Sequence, residues 1–201
     1  MAAVAAPYGL RAVNHLGGTP YAGSTRMYPI ASGLATNIYY GDVVNVQATG
    51  FLTQNTTTGA VGAGTQFVAG TVGVFVGCTF TDPISGNVTF RQNWPTGTVT
   101  PDAQAYVVDD PAAIFQIQAN GTLTQAALGA CGFLIVQATG TGNLLSGNST
   151  TALNNGVVQT AAAFKIVGFV DSPTSTVGDA FTDVLVKFNP AAHAYTSGTG
   201  I

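Results

Sequence analysis

From Leu34 onward the chain is a series of brief apolar or alternating runs, each cut off by residues that favour turns. The runs occupy 38–40, 43–47, 73–80, 88–92, 105–108, 114–119, 132–138, 164–170 and 184–188. Such runs are too short for the apolar stripe of an amphipathic helix and suit half-buried strands. Turn residues fall between them: Tyr40-Gly41-Asp42, Ser85-Gly86-Asn87, Asn120-Gly121 and Asn155-Gly156 tolerate the positive φ of tight turns. Ser85-Gly86-Asn87 would join 73–80 to 88–92 as a hairpin. Asp109-Asp110-Pro111 marks a bend, because the residue before a proline is pushed out of the helical region. The rhythm predicts an all-β fold, a sandwich or barrel of jelly-roll-like character, as a single domain over 34–201. Short helices fit only at 123–129 and near 151–153. The Gly/Thr-rich stretches 53–65 and 139–150 read as exposed loops.

Composition sharpens this expectation. All eight acidic residues are aspartates, and the chain has no glutamate. Glutamate fills exposed helix faces, whereas aspartate favours turns. Hydrophobic residues make up 46% and charged residues 6%, against about 25% charged in an ordinary domain. A chain this apolar and weakly charged folds rather than staying disordered. With so few charges to cover a monomer, some apolar surface is expected between copies.

The same numbers exclude several functions. Five basic residues, Arg11, Arg26, Arg91, Lys165 and Lys187, are scattered through a chain of net charge −3. Nucleic-acid binding needs a concentrated basic face and is not expected. No apolar run approaches the roughly 20 residues of a membrane span, and Met1 to Gly9 lacks the pattern of a secretory signal. Cys78 and Cys131 each sit in an apolar β-like run; buried free thiols are the favoured reading, with a disulfide between neighbouring strands left open.

Catalytic groups are sparse. His15 and His193 lie near the two ends of the chain, and neither accompanies a nucleophile-elbow pattern. Asp109 and Asp110 could serve as paired carboxylates, but hard cations want several converging oxygens and no EF-hand spacing surrounds them. Two separated cysteines and two distant histidines make no zinc site. No catalytic residue, metal or cofactor is expected. An enzyme would require His15 and His193 to converge beside Asp109 and Asp110. Most of Tyr39, Tyr40, Phe75, Phe80, Phe90, Trp94 and Phe115 lie in strand-like runs and are assigned to the core.

Residues 1–33 show neither period 2 nor period 3.6 and read as an extended N-terminal arm with little core of its own. Tyr8, Arg11, Tyr21, Arg26 and Tyr28 concentrate there, and Tyr and Arg are the types most enriched at interface hot spots. These five are the expected partner-contact residues.

Several stretches resemble the small virion structural proteins of tailed bacteriophages, in particular capsid decoration or cement proteins of marine and cyanophage type. They are Pro7-Tyr8-Gly9-Leu10-Arg11 with Gly17-Gly18-Thr19-Pro20-Tyr21, then Gly73-Val74-Phe75-Val76-Gly77-Cys78 leading to Trp94-Pro95. Val107-Val108-Asp109-Asp110-Pro111, Phe115-Gln116-Ile117-Gln118, 164–170 and 184–189 complete the likeness. The resemblance implies a protein on the outer surface of the phage head, made in the host cytoplasm during assembly. Its partners would be the major capsid protein and copies of itself, commonly as a trimer. The alternative is a carbohydrate- or receptor-binding head-fibre or tail module, which would need exposed aromatics on loops 53–65 and 139–150. Those loops contain none.

Overall fold

The computed structural model describes residues 4–55, 70–132, 134–135, 142–157 and 162–197. Its strands are β1 (Arg11–His15), β2 (Arg26–Pro29), β3 (Ile38–Tyr39), β4 (Val43–Val46), β5 (Leu52–Gln54), β6 (Thr71–Thr81), β7 (Val88–Arg91), β8 (Asn93–Trp94), β9 (Gln104–Val108), β10 (Ala113–Gln118), β11 (Cys131–Gly132), β12 (Leu134–Ile135), β13 (Ala152–Leu153), β14 (Phe164–Phe169) and β15 (Asp183–Phe188). Two antiparallel sheets dominate. One runs β1-β10-β15-β14-β11; the other runs β2-β9-β6-β4-β5, with β7 also paired to β6. The ribbons β3-β8 and β12-β13 complete the set. The molecule is an all-β sandwich, and among the described residues no helix is long and apolar enough to cross a membrane.

Both cores follow from alternation along the strands, since side chains at i and i+2 share a face. Between the two sheets, Phe115, Ile117, Phe164, Ile166, Val184, Val186 and Phe188 meet Val43, Val74 and Val108 of the six-stranded sheet. Phe188 stacks edge-on to Phe115 with ring centroids 5.7 Å apart. A second cluster lies on the opposite face of the six-stranded sheet, where Phe75, Cys78, Phe80 and Val107 pack with Ile38 and Trp94 of the β3-β8 ribbon. Most of the aromatic residues assigned to the core are there: Tyr39, Phe75, Phe80, Trp94 and Phe115 are all buried. Tyr40 is half-buried, and Phe90 stands exposed at 59%. Both cysteines are free thiols; Cys78 is buried and Cys131 half-buried.

The hairpin through Ser85-Gly86-Asn87 forms as the turn chemistry predicts, with Thr81 opposite Val88 and Cys78 opposite Arg91. A short 3-10 turn at Gln125–Ala127 occupies the helical stretch expected at 123–129. Residues 152–153 form β13 instead of a helix, because the buried Ala152 and Leu153 pair with β12. Strand β5 enters the stretch read as a loop from Thr53; its positions 56–65 lie outside the described residues, as do 133 and 136–141 of the later runs.

The N-terminal segment 1–33 is extended, as its glycines and prolines dictate, but it is also woven into both sheets. Strand β1 pairs with β10 and strand β2 with β9. Leu10 is fully buried in the inter-sheet core, and Ile30 belongs to the second core. Gly9 and Gly41 allow the closest approach: a Cβ on Gly41, at φ +93°, would stand 2.9 Å from the Leu10 nitrogen. That nitrogen donates to the Gly41 carbonyl at 2.9 Å. The periodicity was hidden because each strand is only four or five residues long and lies at a sheet edge, where one side faces water.

Candidate partner-binding surface

The five expected contact residues divide into two groups, and each group is tied down within the chain. Near β1, the Tyr8 hydroxyl donates to Asp183 Oδ1 at 3.1 Å, while the Arg11 guanidinium stacks over the Tyr8 ring, 4.7 Å from its centroid. Burial, and then the Asp183 carboxylate, push the Tyr8 hydroxyl well above its ordinary pKa.

The second group gathers around the bend between β9 and β10. Arg26 Nε stands 2.9 Å from Asp109 Oδ2, and the Tyr28 hydroxyl donates to the same oxygen at 3.0 Å. Tyr195, from the C-terminal segment, bonds the Tyr28 hydroxyl and accepts from Arg26 at 3.2 Å. His15 Nδ1 lies 3.1 Å from Asp110 Oδ2, and the His15 ring leans on Tyr21 at 5.9 Å. The cluster thus fastens residues near both ends of the chain onto one bend. Burial first, then the Tyr195 hydroxyl and Asp109, raise the Tyr28 hydroxyl far above its usual range.

The condition set for an enzyme is met only in part. His15 reaches Asp110, and His193 packs nearby, close enough for both carboxylates to favour its protonated form. Yet His193 is buried to 1% exposure, its ring packed on Phe188 at 5.3 Å and on Tyr195 at 5.5 Å. Its Nδ1 accepts the Tyr195 backbone N–H at 3.3 Å, and burial lowers its pKa. Burial thus opposes protonation of His193 and encloses its ring, whereas general acid–base catalysis works through a group within reach of its substrate. The geometry of this cluster performs fastening.

An open surface lies elsewhere, on the six-stranded sheet. Val74 faces the five-stranded sheet, and its register partners Val43 and Val108 share that face. Two residues before Val108, Tyr106 projects from the same face of β9, with Met27 opposite it on β2. Beyond the bulge at Gly77, this face continues through Thr79 to Phe90 and through Thr81 to Val88. Here the five-stranded sheet no longer covers it: Met27 is 60% exposed and Val88 74%. The Phe90 ring lies against Gly77, where a Cβ would come within 2.7 Å of it, and 6.0 Å from the Tyr106 ring. Met27, Val88 and Tyr106 line a shallow depression with Thr79, Gln104 and Asp102. Asp102 closes one end, accepting from Thr81 Oγ1 at 2.5 Å and from the Thr81 N–H at 3.1 Å.

The expected partner-contact residues, Tyr8, Arg11, Tyr21, Arg26 and Tyr28, do not include the exposed residues of this face. The alternation Val88-Thr89-Phe90-Arg91 was visible, but alternation separates two faces without saying which one is covered. No protein-family model, curated protein or solved structure matches the chain. The functional reading therefore rests on the residues themselves.

Proposed function

We propose that this chain is a non-enzymatic structural module of a tailed-bacteriophage particle, a decoration protein that docks on the major capsid protein at the outer surface of the head. The observation that carries the reading is the uncovered half of the six-stranded sheet, where Met27, Val88 and Phe90 stand exposed on a rigid β framework. Apolar side chains clustered on a preformed surface suit docking on a partner, since little ordering entropy remains to be lost on binding. Low charge also suits close packing against repeated protein neighbours, because few ionic groups need desolvation. The sequence likeness supplies the phage setting. The Thr/Gly-rich loops carry no aromatic platform, so sugar recognition has no comparable support.

The test is co-sedimentation of the purified protein with phage heads stripped of their decoration. Binding should saturate at a fixed number of copies per head, and Met27→Asp should weaken it at least tenfold while leaving the melting temperature nearly unchanged, because residue 27 is exposed. Absence of saturable binding by the unaltered protein would sink the capsid reading.

A further inference from the structure

We infer that the free edge of β7 pairs with β7 of a second copy of this chain, in an antiparallel two-fold ladder that sets Thr89 opposite Thr89. Among the described strands, β7 pairs only with β6. Its other edge is flanked by Val88 and Phe90, both exposed, and carries no proline; its one charge, Arg91, closes the strand. The phase of its backbone is set by the hairpin, in which the Asp82 N–H donates to the Asn87 carbonyl at 2.9 Å. In an antiparallel ladder the bonding direction alternates. Asn87, Thr89 and Arg91 therefore turn their backbone groups toward β6, while Val88 and Phe90 turn theirs outward.

Setting Thr89 opposite Thr89 brings Val88 of each copy against Phe90 of the other. Both are outward-bonding positions, so the two pairs close four backbone hydrogen bonds. On the face continuous with Met27 and Tyr106, the same register makes two apolar cross-strand pairs. On the opposite face, Arg91 of one copy comes beside Asn87 of the other, next to Asp82 on the adjoining strand. Among the described residues Arg91 closes no ion pair within its own chain, and Asp82 already feels its charge at a distance. An edge with a cation at one end and an anion at the other is complementary to itself under a two-fold rotation, which is why a second copy is the occupant.

Neighbouring registers are worse. A shift that sets Phe90 opposite Phe90 places Val88 against Gln92 and draws Arg91 away from Asp82. The opposite shift drives Phe90 onto Gly86, a turn residue at φ +70°. A shift between these turns the apolar residues to opposite faces. The favoured register also carries the second copy's hairpin tip, with Ile84 at 95% exposure, past Gln92. Gly147 packs on Gln92 and belongs to the turn bearing the exposed Leu144 and Leu145. This pairing stands whether or not the module docks on a capsid.

Disulfide trapping tests the register directly. Thr89 would be a non-hydrogen-bonded pair across the two-fold, with Cα atoms about 4.5 Å apart, within the range a disulfide spans. Thr89→Cys should give a covalent dimer under mild oxidation, with the 89–89 linkage confirmed by peptide mapping. Ser85→Cys at the hairpin tip should not. In native mass spectrometry the unaltered chain should be dimeric, and Val88→Pro, which removes only an outward N–H, should be monomeric. Should Val88→Pro fail to fold, Arg91→Asp should weaken the dimer about tenfold, with the added change Asp82→Arg restoring it. A monomer at all concentrations, a trimer, or a dimer that does not cross-link at 89 overturns the proposal.

Discussion

Asp42 and Asp109 both lie where the N-terminal segment meets the body of the fold, Asp109 bonded to that segment directly and Asp42 through its neighbours Gly41 and Ser149, in opposite electrostatic surroundings. Asp42 is buried and surrounded by neutral donors. Its Oδ2 accepts the Tyr39 N–H at 2.8 Å and Gln54 Nε2 at 2.7 Å, and its Oδ1 accepts the Ser149 hydroxyl at 2.6 Å. The neighbouring Gly41 carbonyl holds Leu10, and Gly9 packs against Ser149. Asp109, whose side chain is 14% exposed, is paired with Arg26, which is 62% exposed. A carboxylate among fixed neutral dipoles in the interior cannot be solvated if its partners are lost, whereas a pair at the surface exchanges its partner for water at little cost. Disrupting the packing around Asp42 should therefore cost more stability than breaking the Arg26–Asp109 pair.

The largest difference should appear on truncation. Deleting residues 1–23 removes the buried Leu10, strand β1 and the packing of Gly9 around the Asp42 node, while leaving Arg26 and Tyr28 in place. Loss of one buried leucine alone costs about 2–5 kcal/mol, and a domain of this size loses roughly 2–4 °C per kcal/mol. The truncated chain should melt at least about 10 °C below the full chain, or fail to fold. Circular dichroism melts within about 2 °C of each other would show that residues 1–23 are a dispensable arm after all.

The contrast also explains how much could be read from sequence. Strands β6, β9, β10, β14 and β15 were legible because burial on at least one face imposes alternation on every residue. The bend at Asp109-Asp110-Pro111 and the hairpin at Ser85-Gly86-Asn87 were legible because turn chemistry is local. Strands β1 and β2 were not, since edge strands of four or five residues leave half their pattern to solvent. Tyr8, Arg11, Tyr21, Arg26 and Tyr28 were legible as a chemical type, but residue type does not reveal that Tyr8 is bound by Asp183 and Tyr28 by Asp109. The open face of Phe90, Val88 and Met27 depends on where one sheet stops covering the other, a long-range fact that no local pattern carries.

A smaller, pH-dependent difference should separate the two aspartates. Burial pushes Asp42 up from 3.8 to about 6, against the pull of its hydrogen bonds from Ser149, Tyr39 and Gln54. The unfolded chain releases this proton near 3.8 and the folded chain near 6, so between those values the folded state binds more protons. The resulting stabilisation is complete below about pH 4 and is lost as pH rises to about 6. A shift of this size corresponds to about 3 kcal/mol. Urea midpoints should fall across that window, and Asp42→Asn, whose amide oxygen can still accept from Tyr39 and Gln54, should flatten this part of the profile. An unchanged slope in Asp42→Asn would assign the pH response to other carboxylates.

The smallest effect should come from breaking the surface anchor. Arg26→Ala removes the ion pair with Asp109, the bond to Tyr195 and the stacking on its ring, which lies 5.2 Å from the guanidinium carbon. Asp109, 14% exposed, keeps the Tyr28 hydroxyl as a donor, so the carboxylate is not left without a partner. The melting temperature should therefore barely move, and 0.5 M salt, which screens exposed pairs, should leave the variant and the original chain alike. Hydrogen exchange should nonetheless register the loss, because Arg26 helps hold the C-terminal segment against β2. Amides of 193–197 should exchange several-fold faster in Arg26→Ala, while those of β6 and β15 stay as protected as before, since local opening near a chain end does not require the sheets to separate. Faster exchange in β6 or β15 would mean that the Asp109 node, like the Asp42 node, is coupled to the core, and the distinction between the two anchors would fail.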